Sequence, residues 1–192
     1  MNVTREEAAQ ALDDISRANE RVAQVQGYHH GAPYFIIWGL VWLAANTSSH
    51  FLPAHEKFIW PFALAAGFLI SMATGILQSR KWAKGAGLRE AERKIGARMG
   101  MTDGIVIAYV VCIVMIAQPE SNREINAMIS IIFPFLYMAA GIWAGWRLFA
   151  IGLVTAAAIM AGYFWIAEYF ALWMGLFGGG SLIAGGIWLR TA

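Results

Sequence analysis

Between Leu148 and Leu189 the chain carries a single charged side chain, Glu168. That stretch is about twice the roughly 20 mostly apolar residues that one helical crossing of a bilayer needs. It reads as two membrane spans, about 148–167 and 169–189, folded back on each other at Glu168. Such a hairpin leaves little room for a soluble fold, and the rest of the chain agrees. Further apolar runs lie at about 33–50, 58–78, 102–118 and 125–146. The protein is 59% hydrophobic and 14% charged, against about 25% charged for a soluble domain. The expected fold is an all-α polytopic membrane protein. It comprises a bundle of six transmembrane helices preceded by a cytoplasmic amphipathic helix and linker at 1–32.

Orientation follows from where the bases fall. The segment 79–100, SRKWAKGAGLREAERKIGARMG, holds Arg80, Lys81, Lys84, Arg89, Arg93, Lys94 and Arg98, seven of the fourteen Lys and Arg residues. Cytoplasmic loops collect such residues. With six spans this loop lies on the same side as Arg5, Arg17, Arg21, Arg147 and Arg190, which leaves only Lys57 and Arg123 opposite. Both termini are therefore expected in the cytoplasm, in a membrane such as the bacterial inner (plasma) membrane. The first thirty residues contain no apolar core, so the first span is expected to act as its own targeting signal. The basic loop is juxtamembrane and is explained by topology, so no nucleic-acid role is read from it.

The N-terminal segment opens on a capping box, Thr4 to Glu7. Ala8, Ala11, Leu12, Ile15, Ala18, Val22 and Val25 then recur at three- and four-residue spacing, the period of a helix with one apolar stripe. Gly31-Ala32-Pro33 is expected to break that helix, with Pro33 opening the first span. The N-terminal segment has five acids and three bases, whereas a helix that adheres to anionic lipid is basic on its polar face. It is therefore expected to dock on protein. Asp13 and Asp14 would face Arg89, Arg93 and Lys94 of the basic loop, whose own apolar stripe is Leu88, Ala91, Ile95 and Met99. The expected partners are the lipid bilayer and either a second copy, giving a homo-oligomer, or a protein on the cytoplasmic side.

Within the spans, Ala63, Gly67, Ser71 and Gly75 form a seam of small residues four apart, as do Gly141 and Gly145. Such seams let membrane helices approach closely. Pro134 is expected to kink the fourth span. The sixth span, with Gly175, Gly178, Gly179, Gly180, Gly185 and Gly186, reads either as a close-packing helix or as an interrupted one.

Chemistry is sparse. The middle thirds of the spans hold no Asp, Glu, Lys, Arg or His, whereas ion-coupled transporters usually keep one there. Asp103, in the first turn of the third span, reads as a helix cap. His50, His55, Glu56 and Glu168 share the outer side and have the donor types that suit Zn²⁺ or Ni²⁺. His50 and His55 are five apart across Pro53 and the acids come from separate loops, and solvated loop residues are the favoured reading, so no metal is expected. His29 and His30 would need a second subunit to ligate haem. Asn46-Thr47-Ser48 matches a glycosylation sequon at the membrane edge. Cys112 is the lone cysteine, which excludes an internal disulfide. Trp38, Trp42, Tyr109, Pro134, Tyr137, Tyr163, Gly178 and Gly179 could line an aromatic cavity, with plain packing as the competing reading. No phosphate-binding loop, HExxH or nucleophile elbow is present, so neither an enzyme nor a cofactor is expected. The function read from these residues is an interaction, scaffold or regulatory membrane protein. The alternative is a binding or transport protein that carries a small solute or lipid in an apolar cavity.

Overall fold

The structure is a computed structural model and describes residues 5–82, 101 and 104–191. Among these, every regular element is helical: α1 Arg5–Phe51, a 3₁₀ turn Pro53–His55, α2 Glu56–Trp82, α3 Gly104–Ala117, α4 Asn122–Ala144, α5 Trp146–Trp165 and α6 Phe170–Leu189. Four segments are long and apolar enough to cross a membrane: Pro53–Arg80, Asn122–Ala144, Trp146–Trp165 and Phe170–Leu189. The chain is thus an all-helical protein of membrane character. The other two segments read as spans do not meet that standard. α3 is shorter than a crossing over its described residues, and the apolar half of α1 ends in Asn46-Thr47-Ser48-Ser49-His50. Thr4, residues 83–100 (including Arg89, Arg93 and Lys94) and Asp103 lie outside the described residues.

The main departure from expectation is in α1. It runs unbroken for 47 residues, with Pro33 inside it, so Gly31-Ala32-Pro33 is not a break. Proline holds a helical φ and removes only one backbone donor. Packing supplies the rest. Tyr28 and Ala32 are buried core residues, and the Ala32 carbonyl lies where it would stand 2.8 Å from a Cβ on Gly186 of α6. Local breakers are overridden because the segment on both sides of Pro33 is held by another helix.

From there α1 is the axis of the bundle. α6 runs antiparallel along it, backbone against backbone. A Cβ on Gly179 would lie 2.7 Å from the Gly39 carbonyl oxygen and 2.8 Å from the Leu43 nitrogen, and one on Gly175 would lie 2.8 Å from the Thr47 hydroxyl. The glycines of the sixth span therefore serve close approach. α6 does not break, although Met174–Gly179 winds as a π-helix. α2 lies on a second side of α1 through its small-residue seam. Gly67 meets Val41 and Trp38, and Gly75 meets the Tyr34 hydroxyl at 3.2 Å.

α4 and α5 form a tight hairpin. Ser121 caps α4, its hydroxyl accepting from the Glu124 N–H at 3.3 Å, so the helix starts three residues before Ile125. Pro134 is buried inside it, and its carbonyl oxygen would stand 2.5 Å from a Cβ on Gly152 of α5. Gly141 packs against the Phe149 backbone. Gly145 is not a second member of that seam. It forms the turn itself, at φ 119°, a conformation open to glycine. A Cβ there would collide with the Gln24 amide and the Tyr28 hydroxyl. The core cluster of Tyr28, Ala32, Trp42, Ile151, Ile159, Met174 and Leu182 ties α1, α5 and α6 together.

Candidate functional site

The most distinctive surface is the half of α1 that leaves the bundle. Gln24 and Tyr28, joined by a 2.9 Å hydrogen bond, sit at the α4–α5 turn and mark where the helix parts from its neighbours. Every residue from 10 to 23 is exposed. At 1.5 Å per residue, residues 6–23 project about 27 Å. Leu12, Ile15 and Val22, at 68%, 58% and 54% exposure, stand uncovered along that projection. The polar side carries Asp13 and Asp14, and the Asp13 carboxylate pairs with Arg17 at 2.6 Å on the same helix. An exposed pair of that kind contributes only about 0.3–0.5 kcal/mol. Among the described residues, Asp13 and Asp14 meet no base of another element; the loop bases expected opposite them lie outside these residues.

A second feature is a ladder of buried polar side chains inside the bundle. Asn46 on α1 is 0% exposed. Its amide nitrogen donates to the Trp42 carbonyl at 3.0 Å, and its amide oxygen accepts from Asn126 Nδ2 at 2.7 Å. Ser130 donates to the Asn126 oxygen at 3.0 Å. Between α5 and α6, the Thr155 and Ser181 hydroxyls lie 2.9 Å apart; one donates its single proton to the other, which donates to its own helix backbone, at the Ile151 or Gly178 carbonyl. In hydrocarbon such interhelical bonds hold helices in register. Apart from Asn46, in its sequon, none of these residues stands out in the sequence as a site. The available signal was Asn126 and Ser130 one turn apart on an apolar helix. Asn46 is not at an exposed membrane edge; being buried, it cannot serve as a glycosylation acceptor.

The residues proposed for a cavity are dispersed. Trp42 packs on Gly178, at 3.3 Å from its Cβ position, and Gly179 is filled by α1. Tyr137 tilts against Phe35 at 4.7 Å, while Trp38 meets Phe68 of α2 edge-on at 5.1 Å. Tyr109 is exposed on α3. Tyr163 lines a cleft of about 340 Å³ whose walls include Ala127, Ile131, Ile159 and Glu124, where α4 begins and α5 ends. Arg123 lies over the Tyr163 ring at 5.0 Å.

Among the described residues no three His, Cys, Asp or Glu side chains gather where a metal could be held. His50 packs on the rings of Phe51 and Tyr169, and Glu56 accepts from Asn122 Nδ2 at 2.6 Å. His55 and Glu168 are exposed. At the opposite end, Arg147 Nη1 donates to the Trp188 carbonyl at 2.9 Å and to Thr191 at 3.3 Å, which fastens the start of α5 to the end of α6. Trp173 donates to the Ala158 carbonyl at 2.7 Å and stacks on Phe177.

These features define a helical membrane bundle with a long projecting helix and a polar ladder in its interior. No known family matches the chain, and neither does any curated protein or solved structure.

Proposed function

We propose that this protein is a membrane-embedded interaction protein, whose bundle holds α1 out into the cytoplasm as a docking helix for another protein chain. In this reading the chain crosses the bacterial plasma membrane six times, with both termini cytoplasmic. α1 and α3 complete the six crossings. The observation that carries the proposal is the continuity of α1. A helix rooted in the core through Tyr28, Ala32 and Trp42 presents Leu12, Ile15 and Val22 uncovered. A single helix in water gains its stability from packing of an apolar face. An uncovered face on so long a projection is therefore a surface that awaits a partner.

The test is removal of residues 1–21, which leaves Gln24 and Tyr28 on the α4–α5 turn. The truncated protein should fold and insert as before but lose its assembly in native membranes, read by cross-linking and mass of the purified complex. An unchanged complex would overturn the proposal.

The cleft beside Tyr163 supports a second reading, binding of a small apolar solute or a lipid chain. Its walls are apolar, with Glu124 at its edge. Ala127→Trp should fill it and abolish retention of such a molecule through purification. Equal retention by the variant would exclude the cleft.

A further inference from the structure

We infer that α1 pairs with α1 of a second copy of this chain, side by side and in the same direction, along the face that carries Ile15 and Val22. The inference rests on the docking role proposed for α1 and names its partner. Ala11, Ile15, Ala18, Val22 and Val25 alternate in steps of four and three. That spacing averages 3.5 residues and forms a narrow seam suited to one facing helix, where a bilayer surface would call for a broader apolar face. In heptad terms Ile15 and Val22 occupy the first core position, where β-branched side chains favour two parallel strands. Ala11 and Ala18, one turn before each of them, permit a close approach.

The seam continues into the bundle. Val22 and Leu40 are 18 residues apart, five full turns at 3.6 residues per turn, and Leu40 and Phe51 are 52% and 67% exposed on that side. The other sides of α1 are occupied: α6 covers Gly39 and α2 covers Val41, while α4 reaches Asn46. Lipid can cover Leu40 and Phe51 within the bilayer but not Ile15 and Val22 beyond it, and a helix that runs from the membrane out into water along the same line would cover the whole face. A second copy inserted the same way meets that condition by two-fold symmetry.

The flanks agree with a parallel, in-register pair. In such a pair the residue just before one core position faces the residue five further along on the other strand. Asp14 then meets Asn19 of the second copy, and Arg21 meets Gln26. A carboxylate faces an amide donor, a guanidinium faces an amide acceptor, and no like charges oppose each other. Glu20 and Asp13 fall on the opposite side, in solvent.

The experiment uses single cysteines in full-length protein carrying Cys112→Ser, oxidised in native membranes. Ile15→Cys and Val22→Cys should form a covalent dimer several-fold faster than Asp13→Cys and Glu20→Cys. Val22→Glu, followed by native mass measurement, should shift the wild-type dimer to monomer. Equal rates at the two faces, or no dimer from any position, would overturn the inference. If seam cysteines fail while the 1–21 deletion still strips a different protein from the complex, the docking role stands and the self-pairing falls. If that deletion strips nothing, the docking role itself falls.

Discussion

At Gly179 the place of a side chain is taken by the backbone of α1. Apolar burial does not draw helices together in lipid, so close backbone contact and polar bonds must do so. Gly179→Val would push α1 and α6 apart. It should destabilise the bundle by about 1–3 kcal/mol, the usual range for overpacking, read as a lower midpoint in detergent-based unfolding. Gly180, where a Cβ would meet nothing within 4 Å, is the neighbouring control, and Gly180→Ala should be tolerated. The Asn46–Asn126 bond is the polar counterpart. Asn126→Ala leaves the Asn46 amide oxygen and the Ser130 hydroxyl without their partner and should cost about 1 kcal/mol, since membrane hydrogen bonds average about 0.6. A double-mutant cycle with Asn46→Ala should show less than additive loss; strict additivity would mean the two amides do not act together. The seam through Gly67 and Gly75 could be read from spacing, whereas the same spacing misplaced Gly145, which forms a turn. The burial of Asn46 could not be read, because a run of five polar residues looks like a membrane edge until α4 is placed beside it.

For α1 as an element, local rules and packing conflict, and packing prevails. Glycine and proline at 31 and 33 are strong breakers in isolation, yet the helix continues because Tyr28, Ala32 and Trp42 are all anchored in one core. Cβ atoms on Gly27 or Gly31 would meet nothing within 4 Å. In a continuous helix, alanine at such a site is favoured over glycine by roughly 0.5–1 kcal/mol. Gly31→Ala should therefore raise the unfolding midpoint, whereas at a true hinge it would lower it. The hairpin of α5 and α6 was legible from the length of its apolar run, about twice one span, with Glu168 as its only charge to mark the turn. The role of Gly145 was not legible, because its positive φ and the approach of Gln24 and Tyr28 to the same corner appear only in the folded chain. The π-helical stretch Met174–Gly179 had no sequence signal beyond its glycines.

The molecule as a whole is an apolar bundle with one long helix standing out of it. Composition and run length were enough to establish the membrane class, because they depend on solvent preference and need no knowledge of contacts. The arrangement around α1 was not legible, since every helix here is apolar on several sides and hydropathy does not choose among neighbours. If the chain crosses six times, Glu168→Cys should be labelled by a membrane-impermeant thiol reagent from outside intact cells, in a Cys112→Ser background, and Arg190→Cys should not. Labelling of both positions from outside would contradict that layout. The continuity of α1 underlies the docking role and the self-pairing alike. Its most direct measurement is the distance between spin labels at Asp13→Cys and Leu40→Cys in Cys112→Ser protein diluted with unlabelled copies. An unbroken helix rising 1.5 Å per residue predicts one narrow distribution centred at about 40 Å; a broad distribution, or one centred well below that, would contradict it.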